Sequence, residues 1–470
     1  MRRLALAVLL VSPGCAGPGS SRSQEVSVQR VVIEQEAPSR PVKKAPAPAG
    51  NRSIDLQAAL RLAGARNIDI EIVESRLAAQ RAVTDEAFSK YLPDLRVGFS
   101  YLHHDGLRQD SMGQVGDKAM SSFGGGPGLE LRLDPVEARF EHLRALQLED
   151  AVEHQARRTR AEVVVHSAIL YLELVRAAGL VAVAQEAVGR SQAQVKLQED
   201  AAQLQAELGV ELARARAELA RDQEMLLAGR EALQAAGIKL ATWLRLPPQV
   251  QLIPQAGDIE PLTLVPGETE VGDLLDSALA ASPDLAEMRA LSRAAEEMES
   301  GAKWGPWIPE VFAAGTYGTY AGGPGSGGLY NGFGGRSDFS GGLTWTLKGL
   351  GLGDRAKVRQ ARAEALGARL RASRTREILS AEVVTGSIRS RSLLGRIDAA
   401  RKGIEAAEET LELIQARFEA GDAIQLEVLE AIRAVAAARA ALVDTVVTYN
   451  QIQHLLHYRV RGGAWGKTSR

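Results

Sequence analysis

An internal duplication constrains this sequence more than any other feature, because two segments with the same helix-to-strand switch stand 216 residues apart. In "KYLPDLRVGFSY" and "PWIPEVFAAGTY" a proline follows a run with helical spacing of apolar residues and precedes a run that alternates. Pro309 follows Pro93, and Tyr317 follows Tyr101, at this same distance. Other segments repeat at offsets of about 212 to 216 residues, so each half is predicted to run helix, strand, loop, strand, very long helix, turn, helix.

Apolar residues recur every seven positions in two of the predicted helices, and such heptads require a partner helix along their whole length. The first set is Leu212, Leu219, Leu226, Leu233 and Leu240, and the second is Val428, Val435, Leu442 and Tyr449. Ile432 and Val446 add a second apolar row to the latter helix, and Arg439 interrupts that row. These helices are therefore predicted to pack as coiled coils rather than on the core of one globular domain.

The predicted helices also match one another in length. Residues 140–207 and 354–420 each give about 100 Å of helix at 1.5 Å per residue. Shorter segments form two pairs of about the same summed length. These pairs are 210–246 with 271–304, and 424–460 with 54–91. Each chain is predicted to supply four parallel helical rows to a body about 100 Å long.

Four short segments alternate, or nearly so, between apolar and polar residues. They are 95–102, 129–134, 311–320 and 343–348. Alternation with one apolar face fits either a soluble sheet or the wall of a transmembrane barrel. Long loops are predicted at 105–125 and at the glycine-rich 322–335, while Tyr91, Trp304 and Trp307 cluster at the opposite strand ends. This asymmetry favours a barrel with long outer loops and an aromatic girdle at the inner interface.

Four strands cannot close a barrel, and an open edge facing lipid is not tolerated, so a membrane wall of this kind requires an oligomer. Two chains give a barrel of eight strands, whose interior would be filled by side chains. Three chains give a barrel of twelve strands, which is wide enough for an opening. Three chains also supply twelve helical rows. The predicted fold is mainly α with a membrane β part: a trimeric α-barrel of long coiled-coil helices joined to a 12-stranded transmembrane β-barrel, four strands per chain.

The N-terminus carries an export signal. "MRRLALAVLLVSPG" has two arginines and a short apolar run, typical of a secretory signal peptide, and Cys15 follows it directly. Cys15 is either the lipidated residue of a bacterial lipoprotein or part of a signal that is discarded. Residues 16–53 are predicted to be a disordered tether, and 461–470 a short tail. Beyond the signal, the sequence suggests no transmembrane helix.

Nucleic-acid binding and catalysis are both disfavoured. The net charge of -2 offers no general attraction to a polyanion. His103 and His104 have no cysteine or carboxylate cluster at ligand spacing, and "GLGLGD" (349–354) lacks the glycine pattern of a dinucleotide site. No catalytic residue, cofactor or metal site is predicted, and the protein is not expected to be an enzyme.

Both repeats, in order, resemble the TolC-type outer membrane efflux proteins. The resemblance rests on "YLPD", "WIPE", the paired segments before them and the closing "ARFEAGDAIQLEVLEAIRAVAAARAALVDTVVTYNQIQ". It covers a first repeat at 54–265 and a second at 266–460. It implies a passive homotrimeric conduit in the outer membrane that extends through the periplasm to an adaptor protein and an inner-membrane pump, in efflux or type I secretion. The alternative is a periplasmic adaptor or a structural coiled-coil protein.

The resemblance also implies three groups of functional residues. The helix-turn-helix joints would be adaptor-docking tips, formed by Leu208, Gly209, Val210, Ala420, Gly421 and Asp422. Left-handed backbone geometry at the two glycines would reverse the chain direction. The alternative is that these glycines only turn the chain and do not take part in docking. Glu427 and Glu430 would ring the periplasmic aperture, unless they only form a solvated helix face. The junction between helix and strand, with its interface aromatics, would be marked by Tyr91, Pro93, Trp304, Trp307 and Pro309.

Overall fold

The structure is a computed structural model and describes residues 51–204, 209–255, 259–324 and 331–462. The signal segment with Cys15, nearly all of the tether, Leu208 and the tail from residue 463 lie outside the described residues. The predicted tether ran to residue 53, but a strand already begins at Asn51. At the other end the last helix reaches Arg461.

Within the described residues, two very long helices run through the body, and six shorter helices pack along them. The long ones are α3 (Pro135–Leu204, 70 residues) and α7 (Leu352–Glu419, 68 residues). The shorter ones are α1 (Leu56–Arg66), α2 (Ile68–Ser89), α4 (Gly209–Trp243), α5 (Val271–Ala281), α6 (Pro283–Trp304) and α8 (Gln425–Arg461). Helices α2 and α4 pack on α3, and α6 and α8 also pack on α3. Helix α7 packs in turn on α6 and α8. The body is thus a layer with α2 and α4 at one edge and α7 at the other.

Two segments predicted as single helices are each broken, so the expectations for 54–91 and 271–304 were wrong in this detail. The breaks lie at Asn67, between α1 and α2, and at Ser282, between α5 and α6. The Asn67 side chain accepts a hydrogen bond from the Asp69 amide at 2.9 Å, and the Ser282 hydroxyl accepts one from the Leu285 amide at 3.2 Å. Each side chain therefore caps a new helix N-terminus.

The second heptad row buries Val428, Val435 and Tyr449 against neighbouring helices, as predicted. In the first row only Leu240 is buried, and the other four leucines are half-buried. Val428, Ile432 and Val435 form a core cluster with Leu411 of α7. Arg439, which interrupts the second row, turns to acidic residues on both neighbours: its Nε donates to Glu408 of α7 at 3.0 Å, and it also pairs with Glu186 of α3. The interruption therefore links three helices by charge.

One antiparallel sheet of four strands stands at one end of the helices, with the order β2-β5-β7-β8. Its strands are β2 (Asp94–His104), β5 (Met120–Leu133), β7 (Glu310–Pro324) and β8 (Asn331–Thr344). A small hairpin of β3 (Leu107–Gln109) and β4 (Val115–Asp117) lies in the outer connection. The fourth strand was predicted too late, at 343–348, because glycines hide the alternation of "NGFGGRSDFSGGLT". Much of the predicted second loop is therefore strand.

A second, parallel sheet was not predicted. It consists of β1 (Asn51–Ile54) and β6 (Gln251–Pro254). Ile54 and Leu252 are buried in a core that includes Tyr171 and Leu240. The strands are only four residues long and carry one buried side chain in the middle or at the end, so alternation alone could not reveal them.

One described helix segment, within Pro135–Asp200, is long and apolar enough by composition to cross a membrane, contrary to the expectation from the sequence. However, 56% of its most apolar window is buried inside the protein. Because α3 is contacted by helices of both repeats, its apolar character is that of a core helix.

Candidate functional site

The four-stranded sheet has one apolar face and one charged face. Leu95 pairs with Leu129, and Leu129 with Gly315 and then Phe339, so these positions share one face across all four strands. Most of the large side chains on this face are exposed. They include Leu95, Val97, Phe99, Tyr101, Leu129, Tyr317, Phe339 and Leu343. Such a surface is much larger than a lone exposed apolar residue and marks contact with a membrane or another protein.

The opposite face carries paired charges. The Glu130 carboxylate lies 2.8 Å from Arg96 and 3.1 Å from Arg132, and Arg336 lies 2.7 Å from Asp338. A sheet with apolar residues on one side and charges on the other fits a barrel wall between lipid and water.

Both outer strands of this sheet have a free edge. Strand β2 pairs only with β5, and β8 only with β7, among the described strands. Each edge strand is 11 to 14 residues long, and an unpaired edge of that length is a template for another chain.

The predicted switch from helix to strand is confirmed in both repeats. Helix α2 ends at Ser89, and β2 begins at Asp94, just after Pro93. Helix α6 ends at Trp304, a 3₁₀ turn spans Gly305–Trp307, and β7 begins at Glu310, just after Pro309. Trp307 is 76% exposed and Trp304 50% exposed. Tyr91 instead packs against the rings of Phe88 and His142.

At the far end of the body the α7–α8 joint is a complete Schellman turn. The Asp422 amide donates to the Arg417 carbonyl at 2.8 Å, and the Gly421 amide donates to Phe418 at 3.1 Å. Gly421 has φ 84°, as expected, while Ala420 keeps right-handed geometry. At Gly209, the first residue of α4, the expectation of a left-handed φ was wrong. Val210, next to it, is 60% exposed.

The two candidate aperture residues lie in the first two turns of α8 and differ in exposure. Glu430 is exposed, whereas Glu427 is half-buried and its Oε2 is shielded without a hydrogen-bond partner among the described residues. Beside them Gln425 is buried, and its Oε1 accepts from the amides of Gln194 and Gln198, each at 2.8 Å. This cluster ties the start of α8 to α3.

An ion pair between α4 and α8 was missed. Arg433 donates two hydrogen bonds to the Glu218 carboxylate, the one from its Nε being 2.6 Å long. Glu218 is only 3% exposed, and the hydrogen bonds from Arg433 lower the pKa of its carboxyl. The two residues stand 215 apart in the sequence, but they are not equivalent positions of the two halves. At the offset of 212 that relates Gly209 to Gly421, Glu218 corresponds to Glu430 and Arg433 to Arg221, so the local pattern of neither helix predicts the pair.

A second charged cluster lies where α8 ends and α6 begins. Asp284 of α6 accepts from Arg459 of α8 at 3.2 Å and from Arg158 of α3 at 3.5 Å. Burial raises the pKa of Glu162 and Glu287 nearby. The arginines thus join the ends of two stacked helices to α3.

Residues 274–456 match the family model described as "Outer membrane efflux protein". No curated protein matches the chain. Solved structures match it over most of its length. A membrane protein from Pseudomonas aeruginosa has a TM-score of 0.76 at 20% identity, covering 88% of this chain and 92% of that one. The CmeC outer membrane channel of Campylobacter jejuni has a TM-score of 0.75 at 17% identity, covering 88% and 87%.

The outer membrane protein VceC from Vibrio cholerae is similar as well, with a TM-score of 0.74 at 19% identity over 86% of this chain and 96% of its own. At such identities the structures establish the fold. Residues 274–456 match the outer membrane efflux protein family, and the predicted resemblance of the chain to TolC-type outer membrane efflux proteins is confirmed.

Proposed function

We propose that three copies of this chain form a channel in the bacterial outer membrane whose helical part extends into the periplasm. The observation that carries the proposal is the four-stranded sheet with an apolar face, a charged face and two free edges. Three such sheets, joined β8 to β2, make a closed barrel of twelve strands with lipid outside and an aqueous lumen inside. Closure removes every edge.

The helical edges support the same association. The N-terminal part of α7, over residues 358–376, carries six basic residues and one acidic residue, whereas α2 carries five acidic and two basic ones. Exposed apolar side chains on α7 also lie opposite its buried face. They include Leu366, Leu370 and Ile388. On α2 the exposed apolar residues include Ile68, Ile72 and Val83. The basic, apolar edge of one copy therefore complements the acidic, apolar edge of the next.

The channel acts as a passive conduit, without catalysis. Cargo released by an inner-membrane pump enters the helical tunnel and leaves through the barrel, in efflux or type I secretion. An adaptor protein docks at the tips, around Gly209, Val210, Ala420, Gly421 and Asp422, and Leu208 belongs to the same surface. In this arrangement Glu427 and Glu430 of three copies place six carboxylates around the periplasmic aperture, where they attract cations.

The family match disfavours the alternative of an adaptor or a structural coiled coil. An adaptor has one helical hairpin, whereas the described part of this chain contains two, α3–α4 and α7–α8. Neither alternative explains a sheet whose apolar face is exposed. Fractionation separates the possibilities, because the channel is expected in the outer membrane as a heat-sensitive trimer.

Conductance in planar bilayers tests the proposal. Purified trimer is expected to give steps that divalent cations block, and Glu427→Gln with Glu430→Gln is expected to weaken that block at least several-fold. Glu409→Gln, an exposed change on α7, is the control and should leave the block unchanged. An absence of conductance contradicts the channel, while unchanged block in the double variant contradicts only the aperture assignment.

A further inference from the structure

The connection between β8 and α7 holds a leucine almost completely in solvent. Gly349, Leu350 and Gly351 have φ of 57°, 54° and 85°, so three successive residues are left-handed. A left-handed φ costs a residue with a Cβ about 1–2 kcal/mol. Leu350 is nonetheless 97% exposed. Leu350 thus exposes an apolar side chain on a strained backbone, and the described residues leave it uncovered, which points to a partner outside the chain.

This loop is held in place by its own hydrogen bonds. The Lys348 carbonyl accepts from the amides of Gly351 at 3.2 Å and Gly353 at 3.0 Å, and the Gly349 carbonyl accepts from Leu352 at 3.1 Å. The Lys348 amide donates to the Asp354 carboxylate at 3.0 Å, which fixes the loop to the start of α7. Because these bonds define the turn, the exposure of Leu350 is built into the structure.

The surroundings of Leu350 continue the apolar face of the sheet. Leu343 lies on that face, and Trp345 and Leu347 follow it at alternate positions, 60% and 61% exposed. Since Thr344 pairs with Glu310, this segment leaves the sheet beside the exposed Trp307. Apolar and aromatic side chains at the end of an apolar sheet face are typical of the membrane interface.

Cations stand directly next to these apolar side chains. Lys348 is in the loop, and Arg355 and Lys357 lie in the first turns of α7, all exposed. One turn of helix advances about 5.4 Å, so these charges lie within about 10 Å of Leu350 along the helix. Apolar side chains beside a row of cations complement a phospholipid surface, whose phosphates lie just above its acyl chains.

We propose that residues 345–357 form a lipid-binding lip, in which Leu350 inserts into the inner leaflet of the outer membrane while Lys348 and Arg355 bind phospholipid phosphates. The proposal rests on the proposed function, since it needs the sheet to be a membrane wall. The lip fixes the depth at which the barrel ends and the helical body begins. Its ligand class is an anionic glycerophospholipid.

Site-specific quenching tests the lip. Leu350→Cys is labelled with an environment-sensitive fluorophore and reconstituted in phosphatidylethanolamine–phosphatidylglycerol vesicles with brominated acyl chains. Leu413→Cys is the matched control, since Leu413 is 60% exposed but lies near the far end of α7. The unsubstituted protein, carried through the same labelling, reports any thiol at Cys15. Emission from position 350 is expected to fall at least two-fold on bromination, and that from 413 to stay constant.

Channel conductance of the same vesicles separates the two hypotheses. Conducting vesicles in which position 350 is not quenched overturn the lip and leave the channel intact. The lip is also overturned if the fluorophore at position 350 is shielded from aqueous iodide but is not quenched by brominated lipid. In that case position 350 contacts a second copy of the chain. Lys348→Gln with Arg355→Gln should at least halve the phosphatidylglycerol retained by the purified trimer, whereas Lys402→Gln on the same helix should not.

Discussion

The ion pair between Glu218 and Arg433 makes a quantitative prediction about the cohesion of the two helical hairpins. Helices α4 and α8 both pack on α3 but contact each other little, so this pair is a main bridge between them. Arg433→Met keeps the apolar stem and removes both hydrogen bonds. It leaves the Glu218 carboxylate, 3% exposed, without its main counter-charge.

The expected loss of stability in Arg433→Met follows from how deeply Glu218 and Arg433 are buried. Removing one partner of a fully buried pair costs about 3–5 kcal/mol, and exposed pairs contribute about 0–1 kcal/mol. Glu218 is buried, but the Arg433 side chain is 45% exposed, so water can partly replace it. We therefore expect Arg433→Met to lower the free energy of local opening by about 2 kcal/mol. At RT of about 0.59 kcal/mol, this corresponds to a roughly 30-fold increase in local opening.

Hydrogen exchange measured by mass spectrometry on the purified protein can detect this change in α4. Amides of residues 212–225 should exchange about 30-fold faster in Arg433→Met. Arg221→Met is the control, because Arg221 lies 3.7 Å from the same carboxylate and is 55% exposed. It should change exchange by less than about three-fold, in line with an exposed pair. Equal exchange in the two variants would refute the argument that the α4–α8 bridge stabilises this end.

Four further predictions concern other parts of the body. The folded-state pKa of Glu218 is lowered, so the stability that its carboxylate contributes is present above the usual glutamate pKa and is lost as pH falls through the lowered value. The difference in stability between the unsubstituted protein and Glu218→Gln, followed by thermal unfolding, should therefore shrink below about pH 4.3. Burial lowers the pKa of His454 to about 4, so protonation favours the unfolded chain and stability should fall by about 2 kcal/mol between pH 7 and 5; His454→Gln should remove most of that slope in chemical denaturation. Gly421→Ala should destabilise the tip by about 1 kcal/mol and Gly209→Ala by less than about 0.5 kcal/mol, as read from exchange of the tip amides, because only Gly421 is left-handed. Gln425→Leu leaves the amides of Gln194 and Gln198 without their acceptor and should accelerate exchange at the start of α8 at least ten-fold, whereas Gln415→Leu on α7 should not.

The sequence predicted the helical body well because its signals are long. A heptad row that recurs at four or five positions averages out local exceptions such as Arg439. The strands are shorter than the helices, and the position of β8 was wrong because seven of its fourteen residues, counted from Asn331 to Thr344, are glycine or serine and lie on both faces. The ion pair of Glu218 with Arg433 depends on two helices 215 residues apart, which no local window contains.

The broken helices were predictable, and the duplication shows why. Asn67 and Ser282 also stand 215 residues apart, so both repeats interrupt the same helix at the same point. Asparagine and serine are preferred N-caps, and Pro283 occupies the first helical position after Ser282. The prediction of one continuous helix in each segment rested on the apolar periodicity alone and left out the capping residues. A position at which both copies of a duplicated helix carry a capping side chain is a boundary, even where the apolar period continues across it. In a duplicated chain the equivalent positions therefore carry information that neither half contains by itself.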